Sequence, residues 1–322
     1  MRVFLAGATG AIGRPLLRQL IDRGHQVTAT TRSAEKAEQL GSVGAIPVVL
    51  DGLDGAAVAK AVAQARPDAV VHQMTALAGR PDLKHFDRWF AATNALRTMG
   101  TDNLLAAAGA AGVECLVAQS FTGWNNIREG EPVKTEDDPS DPRPAKAQVE
   151  SLAALRHLEH AVTEAPLRGI VLRFGAFYGS GASEDMIELV RKRMFPILGS
   201  GAGVWSWIHV DDAAAATVAA LEHGRRGIYN IADDEPAKVS DWLPYFADAV
   251  GAPRPLRLPA WLGRILAGQA AVQWMNEGRG ASNAKARREL GLQLKFPTWR
   301  EGFRCGLPGS APMAEKRLNA AA

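Results

Sequence analysis

Six short apolar runs punctuate the first 174 residues: RVFLAG, QVTATTR, AIPVVL, AVVHQM, CLVAQS and GIVLRF. Each has about the length of a buried strand. Between them lie stretches of helical pattern, among them GRPLLRQLIDRG, SAEKAEQLG, LDGAAVAKAVAQA and HFDRWFAATNALRTMGTDNLLAAAGAAG. Parallel strands need such crossovers, and right-handed crossovers lay helices on both faces of one sheet. The expected class is therefore α/β, with a doubly wound parallel sheet. Continuous hydrophobicity in RVFLAG and AIPVVL predicts strands covered on both sides. After Phe174 the rhythm breaks. FGAFYGSGASEDM reads as a loop, VWSWIHVDDAAAATVAALEHG as a short strand and a helix, and GIYNIAD as one more strand. The Pro/Trp-rich remainder reads as helical. The expected division is a sheet domain over residues 1–175 and 205–235, a substrate-binding cap over 176–204 and 236–306, and a flexible tail over 307–322.

Composition narrows the function classes. The 322 residues are 47% hydrophobic and 22% charged, as in a soluble globular protein. A formal charge of +3 with scattered basic residues argues against a nucleic-acid partner, whose binding surface usually shows as a clustered basic stripe. Cys115 and Cys305 fit no zinc spacing, so no metal is expected and both thiols should be reduced. MRVFLAGATG lacks the apolar run and cleavage site of a signal peptide, and no later segment is apolar enough to span a bilayer. A cytoplasmic protein with no membrane partner is the expectation.

The first strand runs into GATGAIG, which places Gly7, Gly10 and Gly13 in a strand–turn–helix context. Glycine is needed there for a tight turn, for close approach of the backbone to a diphosphate, and for packing of the helix on its strand. The helix N-terminus then offers N–H groups and its positive dipole end. At the end of the second strand, where an acidic residue would take the ribose hydroxyls of NAD, stand Thr30, Thr31, Arg32 and Ser33. A guanidinium and a hydroxyl suit a 2′-phosphate, which favours NADP with NAD as the alternative. The competing reading makes Arg32 the first solvated residue of the next helix. Asp51 in VVLDGLD is placed either near the adenine or in a turn.

These segments are followed in order by VVHQMTAL, AATNALRTMGTDNLL, LVAQSFTGW, LRFGAFYGSG, WIHVDD, GIYNIADDEP and SNAKARRELG. The series resembles the extended short-chain dehydrogenase/reductases, also called the NAD-dependent epimerase/dehydratase family, over nearly the whole chain. The resemblance implies a Rossmann domain, a smaller substrate domain, and a site in the cleft between them. It implies cofactor contacts from Gly7, Thr9, Gly10, Ala11, Ile12, Gly13, Thr31, Arg32, Ser33, Asp51, Gly52, Leu53, Gln73, Met74, Thr75, Asn94 and Gln119. Ser120, four residues before Trp124, matches the hydroxyl that binds the reacting oxygen; an ordinary strand-end hydroxyl is the alternative. His209, Asp211 and Asp212 match a segment that orders the return of the chain to the sheet. Helix pairs in this family often build dimers, which leaves a homodimer open.

One departure bears on chemistry. The family uses a Tyr–x–x–x–Lys pair, in which the ammonium lowers the pKa of a phenol one helical turn away. The stretch PSDPRPAKAQVESLAALRHLEH, where that pair belongs, has no tyrosine, and none of Tyr178, Tyr229 and Tyr245 has a lysine four residues later. At about 100° per residue, Val149, Leu152, Leu155, Leu158 and Val162 share one helix side, with Glu159 inside that arc. Lys146 and Glu150 project oppositely. Arg156 is a candidate to hold a ribose hydroxyl or substrate oxygen, or else to pair with Glu159. Tyr178 is a candidate proton donor working with Ser120, or else a structural residue of its loop. Trp124, Phe177, Trp205 and Trp207 are candidate walls for a flat apolar substrate, with core packing as the alternative. The expected function is NADP(H)-dependent reduction of a small aromatic or polycyclic molecule. Sugar epimerisation or dehydration, and cofactor sensing without chemistry, are the alternatives.

Overall fold

The computed structural model describes residues 1–77 and 82–308. The expected tail lies outside them from residue 309 onward, and its first residue, Leu307, is buried rather than frayed.

Seven parallel strands form the central sheet: β1 (Arg2–Ala6), β2 (Gln26–Thr31), β3 (Ile46–Val49), β4 (Ala69–His72), β5 (Cys115–Phe121), β6 (Arg168–Phe174) and β7 (Gly227–Ile231). Their spatial order is β7-β6-β5-β4-β1-β2-β3, and every pairing is parallel. The order reverses beside β1, which opens a crevice at the carboxyl ends of β1 and β4. Alternation along β1 feeds two cores. Val3 and Leu5 face the layer of α1 (Gly13–Asp22) and the helix Val210–His223, while Phe4 and Ala6 face α3 (Gly55–Ala65), α5 (Thr101–Ala110) and α6 (Val149–Glu164). The expected double burial of AIPVVL is corrected: Ile46 and Val49 are 48% and 56% exposed. β3 is the sheet edge, and Pro47, which lacks an N–H, is tolerated there.

Two local departures shape the site. The long helical pattern from Phe86 is α4 (Phe86–Ala95) and α5 joined by a π-turn over Leu96–Gly100. That wide turn buries Leu96, Arg97 and Gly100 together. Helix α6 begins after a 3-10 turn at Lys146–Gln148 with no side-chain cap of its own. Asp87 on α4 replaces the cap, accepting from the Glu150 N–H at 3.1 Å and from the Ser151 N–H and hydroxyl at 2.8 and 2.6 Å. Leu152, Leu155, Leu158, Glu159 and Val162 are buried as the wheel predicts, but Val149, at the helix start, is 51% exposed.

A third core draws on residues between Tyr178 and Leu307 and is rich in rings, including Trp205, Trp207, Trp242, Trp299 and Phe303. The strands Ala176–Tyr178 and Trp207–His209 pair in parallel and carry the chain between this core and the sheet. His209, Asp211 and Asp212 do the local bracing. The His209 ring accepts from the Asp211 N–H at 3.1 Å, and the Asp212 carboxylate accepts from the N–H groups of Lys295 and Phe296.

Candidate active site

A cavity of about 1160 Å³ lies at the carboxyl ends of β1, β4 and β5. One wall is the first glycine turn. Gly7 has φ +93°, and a Cβ there would sit 2.6 Å from the Gln73 carbonyl oxygen. A Cβ on Gly13 would sit 2.3 Å from the Gly7 carbonyl oxygen, whereas one on Gly10 would meet protein only at 3.5 Å. Gly7 and Gly13 are thus required by the turn itself, and Gly10 keeps the open side bare. The first turn of α1 has no side-chain cap and no acidic residue. Such a terminus suits a diphosphate.

Thr30, Thr31, Arg32 and Lys36 line the cavity beside the turn. Lys36, one helical turn past Arg32, adds a second cation that the sequence reading passed over. The Ser33 hydroxyl accepts from the Lys36 N–H at 3.3 Å as the cap of α2 (Ala34–Ser42), and Ser33 is not on the cavity lining. Asp51 and Leu53 also stand off the lining. The Asp51 carboxylate accepts from the Leu53 N–H at 3.0 Å in a local turn, leaving Gly52 to line the wall. Asn94 is off it too, donating to the Ser151 hydroxyl at 3.0 Å. Thr9, Ala11, Ile12, Gln73, Met74, Thr75 and Gln119 do line it. Both amide atoms of Gln73 are buried and have no partner among the described residues.

A second part of the lining is aromatic. Phe86, Trp89, Phe90, Phe121, Trp124 and Trp274 line it with Phe177, Trp205 and Trp207. Phe86 stacks on Phe90 with centroids 4.4 Å apart and meets Trp124 edge-on at 5.0 Å. Trp205 and Trp274 stack at 3.8 Å. The four aromatic wall residues named from the sequence all reach the cavity; Phe86, Trp89, Phe90, Phe121 and Trp274 were missed because their helical or strand spacing reads as ordinary core.

The three candidate catalytic side chains do not reach it. Ser120 is 2% exposed and donates to the Glu159 carboxylate at 2.6 Å. Arg173 completes that cluster with a two-pronged pair to Glu159 at 2.8 and 2.6 Å. Burial tends to lower the Arg173 pKa, but the hydrogen bonds and charge of Glu159 outweigh it and the net direction is up. Arg156 is exposed and donates to the Asp141 carbonyl at 3.1 Å, so the expected pairing with Glu159 is corrected to Arg173. Tyr178 is sealed by edge contacts with Trp207, His209 and Phe303, and burial pushes its phenol far up. None of the three tyrosines lines the cavity. Because the Tyr178 hydroxyl is buried without a partner among the described residues, Tyr178→Phe is expected to raise stability by about 1 kcal/mol in urea unfolding and to leave turnover unchanged. A large loss of turnover would return the phenol to the chemistry.

The cavity instead receives Arg97, delivered by the π-turn. Its guanidinium lies 5.3 Å from the centre of the Phe90 ring. Burial pushes it down to about 10, against the pull of Glu159, so it stays charged at neutral pH. Behind it His72 is pushed down to about 4, mainly by burial. The neutral ring accepts from the Met74 N–H at 3.2 Å on one nitrogen and donates to the Leu96 carbonyl at 3.3 Å on the other. That pins the end of β4 to the π-turn. An arginine inside the apolar pattern FAATNALRTMG was the signal available for Arg97. No cluster that could hold a metal ion occurs among the described residues, and no described helix is long and apolar enough to cross a membrane.

A 3-diazoavenalumate denitrifying reductase from a Streptomyces species is 43% identical over 94% of this chain and 99% of the relative. A 4-hydroxy-2-methyl-3-oxo-4-farnesyl-3,4-dihydroquinoline-1-oxide ketoreductase from Stigmatella aurantiaca is 27% identical over 90% and 91%. A 2-alkyl-3-oxoalkanoate reductase from Stenotrophomonas maltophilia is 31% identical over 79% and 77%. Among solved structures, the UDP-glucose 4-epimerase of Thermotoga maritima with UDP-glucose superposes with a TM-score of 0.72 at 19% identity, covering 100% of both chains. The human epimerase family protein SDR39U1 with NADPH gives 0.70 at 22% identity, covering 94% of this chain and 98% of that one. The pattern of the NAD dependent epimerase/dehydratase family matches residues 3–232. With the glycine turn, the strand order and these relatives in agreement, the chain belongs to the NAD-dependent epimerase/dehydratase family, within the extended short-chain dehydrogenase/reductases.

Proposed function

We propose that the protein is an NADP(H)-dependent reductase of a small aromatic or polycyclic molecule. The observation that carries this reading is the continuity of one cavity from the glycine turn and the Arg32–Lys36 pair to the aromatic wall. The residues fit a phosphorylated nicotinamide dinucleotide: two glycines whose Cβ atoms would strike backbone, an uncapped helix end, two cations, and a buried glutamine with unspent hydrogen bonds. When bound, that cofactor supplies the hydride. The chain supplies grip and orientation. The turn and α1 hold the diphosphate, Arg32 and Lys36 meet the ribose phosphate, and the rings fix the plane of the acceptor and keep water out. With Tyr178 sealed away, the proton is assigned to solvent. The three relatives compared above are named as reductases, and one is named for a dihydroquinoline oxide.

Arg32→Ala is expected to weaken NADPH binding about tenfold in calorimetry while NADH changes less than about twofold. Equal losses for both coenzymes would remove the phosphate-selecting role. Nicotinamide absorbance should then fall when NADPH is mixed with a panel of aromatic carbonyls. Inversion of a UDP-sugar without net coenzyme use would favour epimerisation instead, and tight NADPH binding without consumption would favour sensing.

A further inference from the structure

We propose that Arg97 recognises the substrate's charge, and that the substrate is a flat aromatic molecule bearing a carboxylate. The inference rests on the reductase reading for which ligand shares the cavity, and it adds the class of that second ligand. Arg97 is 7% exposed and lines the cavity, yet its guanidinium makes no hydrogen bond among the described residues, and its Nη1 is buried without a partner. A buried cation left unpaired is costly, and such groups are normally matched by an anion.

The protein does not supply that anion in full. Glu159 is the carboxylate that acts on Arg97, and its oxygens are engaged by the Ser120 hydroxyl and by both prongs of Arg173. Glu136 faces Arg173, and His72 is neutral. The hydrogen-bonding capacity of Arg97 is therefore unspent on the cavity side.

The cofactor's own charges are met elsewhere, at the glycine turn and by Arg32 and Lys36. Phe90 lies beside the Arg97 guanidinium, with Phe86 stacked on Phe90 and Trp124 edge-on to Phe86, all on the lining. Among the described residues, the other charged groups on the lining, such as Lys84, Asp185 and Arg193, are exposed. A single planar fork in an apolar, ring-lined recess matches a monoanionic carboxylate attached to an aromatic system. A phosphate dianion would call for a second buried cation.

The test uses the full-length protein saturated with NADP⁺, which binds without reducing anything, and follows quenching of tryptophan fluorescence. The probes are benzoate, cinnamate and 2-naphthoate, each compared with its neutral amide. At least one acid is expected to bind, and to bind tenfold or more tightly than its amide. Arg97→Met should erase that preference while leaving NADP⁺ affinity and amide binding unchanged. Arg97→Lys, which keeps charge but loses the fork, should restore part of it. The proposal is overturned if no acid binds, if amides bind equally well, or if Arg97→Met weakens NADP⁺ rather than the acids. Failure of the wild-type protein to bind NADP⁺ would instead strike the reductase reading, which keeps the two failures apart.

Discussion

Glu159→Ala is expected to lower the thermal unfolding midpoint by roughly 10 °C, corresponding to a loss of about 3–5 kcal/mol. The carboxylate is buried and holds the Ser120 hydroxyl and both prongs of Arg173, so its removal strands a guanidinium in the interior. Arg97 also loses the one carboxylate that stabilises its charge there. The double replacement of Glu159 and Arg173 by methionine should recover much of the stability, because both partners then leave together. Any penalty that persists reports Arg97 and the buried Ser120 hydroxyl, both of which lose Glu159. A single mutant as stable as the parent would show that solvent reaches the cluster and that it is not a buried charge pair.

The glycine turn should separate folding from binding. Gly7→Ala is expected to cost about 2 kcal/mol, since a side chain is strained at φ +93° and its Cβ would strike the Gln73 carbonyl. Because relief requires β4 to move from β1, nucleotide affinity should fall with stability, by about tenfold or more. Gly10→Ala should behave differently. Its Cβ meets protein at an ordinary 3.5 Å and otherwise faces the cavity, so the fold should keep its midpoint while NADPH affinity drops. Urea unfolding beside calorimetric titration of the two variants reads both quantities. Equal stability of Gly7→Ala and the parent would contradict the described turn.

How much was legible beforehand differs between the scaffold and the chemistry. The strand runs and GATGAIG are local signals: a strand-length apolar run and a glycine forced by backbone approach carry their meaning in a few neighbouring residues. AIPVVL misled because hydrophobicity alone does not say whether a strand is central or at an edge, although Pro47 within it was a warning. Ser120 follows from the family resemblance, and Tyr178 from its place in the loop FGAFYGSG as a donor working with it. Whether a hydroxyl faces a cavity depends on partners far away in sequence, here Glu159 for Ser120 and the helix Trp299–Cys305 closing over Tyr178. The Ser33 hydroxyl has a very local partner instead, because it caps its own helix.

Sequence by itself determined the α/β class, the nucleotide turn, the family and the absence of the Tyr–x–x–x–Lys pair, since each is written in short stretches whose physics is local. Tertiary structure alone decided that Glu159 belongs to Arg173, that aromatic residues from α4, β5 and the ring-rich third core line one cavity, and that a π-turn carries an unspent guanidinium into it. Charge pairing, burial and cavity shape are made by residues distant along the chain, so no window of the sequence contains them.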